Sequence, residues 1–468
     1  MDPLEIFREE RGASCHNRHL LITRGPVLRH AAVRADAVGV GLRGYHRDKE
    51  KRASIRFTRS VRLSCGRHSV VCRWGSPVGL YRMDSLEIAG GWLNGYDADP
   101  LPPNPHTSPR QVLHRIVSGY LARPPCMLAF SGGRDSSALL AIAVSVARRE
   151  GLPLPIPVTL HYPGTAGTDE SSWQQQVLEH LQITERVVLT VGQEHDALGP
   201  VAIPLLRRHG IVWPPNFAPT WRMMDLARGG VLLTGESGDE VFGIKRITPL
   251  TKVLRAHGRA DRRLYPYAGR ALAPAPLRRR AALRERYRRT WLYEPVEAML
   301  ARRDADDAVA YSLHAGRNAW QFADRRCVRR CYDTLRALGR ELDVEYVPTF
   351  GEPDYVTAVA YAAGFWGWTG RTATMLHLFG DLLPRAVLER RTKAIFNHAV
   401  FTEHTRSFAR RWDGSGVDPA LVDPEALRAN WLSDCPHAPT VSLLQQAWLA
   451  TQHVEDATPG PLSRPLGG

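Results

Sequence analysis

The sequence predicts an α/β protein: a doubly wound parallel sheet with many added helices, preceded by a small N-terminal β-rich domain. Three observations predict it. From Gln111 onward short apolar runs alternate with helical stretches, the pattern of strands joined by crossover helices. A turn of serines and glycines joins the first of these runs to a helix. Before residue 105 the pattern differs, with brief apolar runs at 20–22, 61–63 and 70–74 set among Gly and Arg, as in a small β unit.

The elements follow in chain order. Proline and polar residues at 100–109 mark a linker, placing the domains at 1–108 and 109–455, and the Pro/Gly-rich tail 456–468 is expected to be disordered. The spacing then predicts strand 126–130, helix 137–149, strand 156–161, helix 170–181, strand 186–191 and strand 231–234. Residues 245–455 read as mainly helical.

The chain has 468 residues, 44% of them apolar, which excludes disorder throughout. No apolar run approaches the roughly 18 residues of a membrane span, and charges within residues 1–10 do not fit a signal peptide. Seven cysteines spread thinly read as free thiols, so a cytoplasmic protein is expected. The net charge of +15 suits phosphates, nucleic acid or acidic peptides without choosing among them. Only five basic residues are lysines, at 49, 51, 245, 252 and 393. The 14 arginines of 255–303 read first as a solvated helix pair and second as a docking face.

Two patterns are set aside. Gly39, Gly41 and Gly44 match a dinucleotide fingerprint, but no apolar helix follows them. Cys15, His16, His19, Cys65, His68 and Cys72 lack the paired spacing of a zinc site.

The strongest signal is Phe130-Ser131-Gly132-Gly133-Arg134-Asp135-Ser136, where an apolar strand runs into a helix. Glycines let successive N–H groups converge and the helix adds its positive end, which suits a polyphosphate. Asp135 beside phosphate calls for a cation, hence Mg²⁺. No Gly-Lys pair exists in the chain, so this is not a Walker A loop. A second strand ends in Thr234-Gly235-Glu236-Ser237-Gly238-Asp239-Glu240. In a doubly wound sheet the two loops can face one crevice, where Asp239 would join Asp135 on the metal and Glu236 would remain as a base.

Together these segments resemble the synthetase domain of the asparagine synthetase family, with its Ser-Gly-Gly-x-Asp-Ser and Gly-Glu-x-x-Asp-Glu signatures. The likeness extends over 111–450 and includes Thr168-Asp169-Glu170 and Arg391-Thr392-Lys393, similar to the family's Arg-x-Lys segment. It implies a fold of the adenine-nucleotide α-hydrolase, or pyrophosphate-loop, type. It also implies ATP split between its α and β phosphates, a carboxylate activated as an acyl-adenylate, and an amine displacing AMP. The implied nucleotide contacts are Phe130, Ser131, Gly132, Gly133, Asp135, Ser136, Thr234 and Gly235. Asp135 and Asp239 are the implied metal ligands, with Glu236 and Lys393 catalytic.

The departures sharpen the expectation. Members that make asparagine begin with a larger glutaminase domain whose nucleophile is the cysteine after the initiator Met, whereas residue 2 here is Asp. The N-terminal unit is thus expected to be a reduced, glutaminase-like domain, and the amine to come from the substrate. β-Lactam synthetases carry Tyr where Glu236 stands, and the family's Phe-Gly-Gly-Tyr is Phe242-Gly243-Ile244-Lys245 here. The chain looks most like the lasso peptide cyclases, which implies a macrolactam formed on a leader-cleaved precursor peptide. A leader peptidase and a leader-binding protein are the implied partners, with neither membrane nor nucleic acid. Phe365, Trp366 and Trp368 with Arg371 are candidates for holding the peptide. The alternatives are another amide ligase of the family, a tRNA-modifying enzyme or an inactive peptide-binding scaffold.

Overall fold

The computed structural model describes residues 79–103, 107–165, 167–390, 392, 394 and 396–457. Most of the expected β-rich unit, both patterns set aside above, Lys393 and residues 458–468 of the tail lie outside the described residues. Residues 79–103, expected with the N-terminal unit, contribute Met83, Ile88 and Leu93 to the same core as the helices around the sheet.

Five strands form one sheet: β1 (Cys126–Ala129), β2 (Ile156–His161), β3 (Val187–Thr190), β4 (Val231–Thr234) and β5 (Glu345–Pro348). Their order is β3-β2-β1-β4-β5, and every neighbouring pair is parallel. The doubly wound α/β expectation is therefore met. β4 is buried at all four positions, as a central strand with both faces covered must be, whereas the edge strand β3 alternates.

The bounds of β2 and β4 match the sequence reading, but the helix after β1 begins at Arg134, three residues earlier than expected. Gly133 at the N-cap lets the chain turn directly from the loop into the helix. The region expected to be helical also holds β5, paired with β4 from Val231–Glu345 to Thr234–Pro348.

The helix Arg134–Glu150 is buried on nearly every side from Ser136 to Ala147, each large apolar side chain contributing roughly 1.5–3 kcal/mol. That burial fixes the direction in which its N-terminus points. Connections run outward one way from β1 through β2 to β3 and the other way from β4 to β5. The order reverses between β1 and β4, where loops leaving the carboxyl ends of the strands part and leave a crevice.

Candidate active site

The first loop leaves β1 after Phe130, which is a core residue, 1% exposed. Its N–H donates to the Val158 carbonyl at 2.8 Å and its own carbonyl accepts the Thr159 hydroxyl at 2.9 Å. The chain then turns through Gly132 at φ +81°, where an added Cβ would lie 2.8 Å from Gln174 Cγ. The Ser131 and Ser136 hydroxyls stand 3.1 Å apart, and Ser136 Oγ accepts from Ser131 N at 3.2 Å. No side chain caps the helix that begins at Arg134, whose N-terminal end lies beside these hydroxyls. This is the arrangement that receives an anion.

The second loop interlocks with the first. A Cβ on Gly235 would fall 3.1 Å from Ser136 N, and one on Gly238 would fall 2.3 Å from Asp135 Cγ. Between them Ser237 holds φ +65°, a strained value for a residue other than glycine. Its hydroxyl is bonded to Tyr332 Oη, which fixes the turn. Phe242 anchors the far end, with its ring edge-on to Phe350 and Phe379 at 4.9 and 5.7 Å. Lys245, where the family has tyrosine, donates to the Glu240 and Gly243 carbonyls at 2.6 and 3.1 Å. It thus closes the C-terminal end of the short helix Gly238–Phe242.

Asp135 and Asp239 meet across this junction. Arg371 bridges them: Nη2 donates to Asp135 Oδ2 at 2.5 Å and Nη1 pairs with Asp239 Oδ1. Burial pushes the Asp135 carboxyl up, Arg371 pulls it down and the Asp239 charge pushes it up again. Asp135 Oδ1 is buried and has no hydrogen-bond partner. Among the described residues no group of three or more His, Cys, Asp or Glu side chains gathers to hold a metal unaided. Two carboxylates with an unsatisfied oxygen between a phosphate-suited loop and its neighbour fit magnesium, which takes one or two carboxylates and completes its shell with phosphate and water oxygens.

Glu236, on the same loop as Asp239, accepts a hydrogen bond from Tyr346 Oη of β5, a hydroxyl that also stands 3.5 Å from Thr234 Oγ1. Burial raises its pKa, and the tyrosine hydroxyl opposes the rise. Glu240 is pushed up to about 7, first by burial and then by the Asp239 charge. Tyr346 gives no signal in the sequence, because it belongs to the strand hidden in a helical region.

Glu170 and Arg390 form a second junction. Both side chains are nearly inaccessible, at 7% and 4% exposed, and their charges are paired. Arg390 Nη1 also donates to the Gly132 carbonyl at 2.9 Å, and the guanidinium lies over the Trp173 ring, 4.9 Å from its centroid. The loop after β2, the pyrophosphate-suited loop and the segment leading to Lys393 are thereby tied together. Arg371 sits on the two aspartates rather than among the aromatic residues it was grouped with. Phe365 and Trp366 are exposed at 44% and 43%, while Trp368 packs on His377.

The four described cysteines, at 126, 327, 331 and 435, form no disulfide. No helix among the described residues is long and apolar enough to cross a membrane. No curated protein gives a significant match to the chain. The family model for asparagine synthase matches residues 110–356, a span that contains both loops and all five strands and stops short of Arg371 and Lys393. More than half of the chain lies within that match, and the chain belongs to the asparagine synthase family, whose members use ATP to form carbon–nitrogen bonds.

Proposed function

We propose that the protein is a macrolactam synthetase that adenylates an Asp or Glu side-chain carboxylate of a leader-cleaved precursor peptide and joins it to the peptide's N-terminal amine. The observation that carries this reading is the interlock of the two loops: Gly235 and Gly238 bring β4's loop onto the first turn of the helix after β1. Arg371 then spans Asp135 and Asp239, and Glu236, on the same loop as Asp239, is bonded to Tyr346.

The phosphates of ATP lie against the Ser131 and Ser136 hydroxyls and the helix N-terminus. Asp135 and Asp239 would hold magnesium, which would supply neutralising charge to the phosphates. The substrate carboxylate attacks the α-phosphorus, and pyrophosphate leaves to give an acyl-adenylate. Glu236, partly desolvated and oriented by Tyr346, takes a proton from the N-terminal ammonium, whose nitrogen then displaces AMP. Lys393 supplies positive charge to the transition states, a contribution of several kcal/mol in a dry site. The exposed Phe365 and Trp366 offer rings on which the peptide can lie, six and five residues before Arg371 in the chain. A leader peptidase and a leader-binding protein supply the substrate.

The test is incubation with ATP, Mg²⁺ and a synthetic core peptide, read by mass spectrometry and AMP release. The expected product is the peptide less one water, with one AMP formed per ring. Asp135→Ala should lower AMP formation at least about 100-fold with the fold intact. AMP formation that depends on free aspartate and ammonium, and not on peptide, would reassign the substrate.

A further inference from the structure

Arg371 carries no motif, yet it holds the centre of the crevice. We propose that its guanidinium is a resident counter-ion standing where the metal would stand on Asp135 and Asp239, so that a divalent cation enters together with a triphosphate and not before it. This rests on reading the crevice as an ATP·Mg²⁺ site.

The argument begins with the fork. One guanidinium nitrogen goes to each carboxylate, Nη2 to Asp135 Oδ2 at 2.5 Å and Nη1 to Asp239 Oδ1. The three side chains are only 13%, 20% and 19% exposed, so water screens them poorly. Two carboxylates brought this close repel unless a cation lies between them, and a planar fork meets that need better than a single ammonium. A divalent ion would need the same oxygens, and its charge would repel the guanidinium at such short range. Resident arginine and bound metal therefore exclude one another at these atoms. A triphosphate changes the balance, because it adds ligand oxygens for the metal and gives the guanidinium other anions to meet.

The backbone beneath Arg371 suits such an exchange. Arg371 is the first residue of the helix Arg371–Phe379 and follows Gly370 at φ +140° and ψ 179°, a conformation essentially closed to other residues. A Cβ on Gly370 would lie 3.7 Å from Lys252 Nζ, and Arg134 Nη1 donates to Thr372 at 3.3 Å. Two further cations thus border the turn from which the guanidinium reaches inward.

The experiment is a Mn²⁺ titration followed by electron paramagnetic resonance, with and without α,β-methylene-ATP. Wild type should take up Mn²⁺ with the analogue and only weakly without it. Arg371→Met should bind Mn²⁺ alone roughly tenfold or more tightly than wild type, and adding Asp239→Asn should abolish that gain. Arg371→Lys, whose single ammonium cannot fork, should fall between, and it decides the matter if the methionine variant does not fold. Nucleotide-independent Mn²⁺ binding no tighter in the variants than in wild type overturns the counter-ion role while leaving the ATP site standing. Wild type that takes up no Mn²⁺ even with the analogue overturns the ATP·Mg²⁺ reading and the counter-ion role with it.

Discussion

The crevice and the arginine-rich stretch 255–303 both pair arginine with carboxylate, but they do so in different surroundings. In the stretch, Arg279 meets Asp306 at 2.5 Å and Arg288 meets Glu294 at 3.1 Å with side chains 39–66% exposed. The helix Ala275–Arg284, which carries Arg279, buries no residue. Solvent screens such pairs, and each contributes little to stability. In the crevice, the Arg390–Glu170 pair is 4% and 7% exposed, and the carboxylates below Arg371 are about one-fifth exposed. The number of arginines points to the first region, whereas desolvation points to the second. Burial alone is not enough either. Arg289 of the same stretch is 4% exposed and pairs with Asp304 at 2.9 Å, yet it also donates to the Gly90 carbonyl and simply fastens the chain's early residues. A functional candidate emerges where buried charge coincides with the reversal point of the sheet.

The sharpest way to break this comparison is Arg390→Met, which strands the Glu170 carboxylate. It should cost about 3–5 kcal/mol in chemical denaturation, and Glu170→Gln added to it should recover part of the loss. A cost below about 1 kcal/mol would place the pair with the exposed ones.

Acid should reveal buried groups in the same way. His195 is 1% exposed, bonded through Nδ1 to Tyr162 Oη at 2.9 Å, and burial followed by the Arg222 charge pushes its pKa down to about 4. The unfolded chain then binds more protons between pH 6.5 and 4, so stability is full above that window and falls as pH drops through it, by roughly 3 kcal/mol. Denaturation midpoints of His195→Gln should fall less steeply across the window. Parallel slopes would show that His195 is not the group responsible.

Gly238→Ala should cost roughly 1–3 kcal/mol, because its methyl meets Asp135 Cγ at 2.3 Å, and nucleotide binding measured by calorimetry should weaken. The smallest effect belongs to Arg279→Ala, whose denaturation midpoint should stay close to that of wild type and coincide with it in high salt. A loss comparable to that of Arg390→Met would erase the distinction between the two regions.

Much of the site was legible because it is local. The serine–glycine turn, Asp135, Glu236 and Asp239 lie in two short segments at strand ends, and the apolar runs around them fix where those strands lie. Arg371 and Arg390 were not legible in their roles, since each is one arginine among many and its partners are 236 and 220 residues away. Lys245 was read only as a departure from the family's tyrosine, and its capping of two carbonyls follows from the short helix it closes.

By itself the sequence determined the alternation of strands and helices, the two loops and their chemistry, because periodicity and turn residues act over a few positions. Tertiary structure decided that Glu345–Pro348 is a strand and that Tyr346 stands beside Glu236. It likewise decided that one guanidinium spans two aspartates from different loops. These outcomes depend on which neighbours a segment meets, and a four-residue strand or a single arginine has too little intrinsic preference to announce its neighbours in advance.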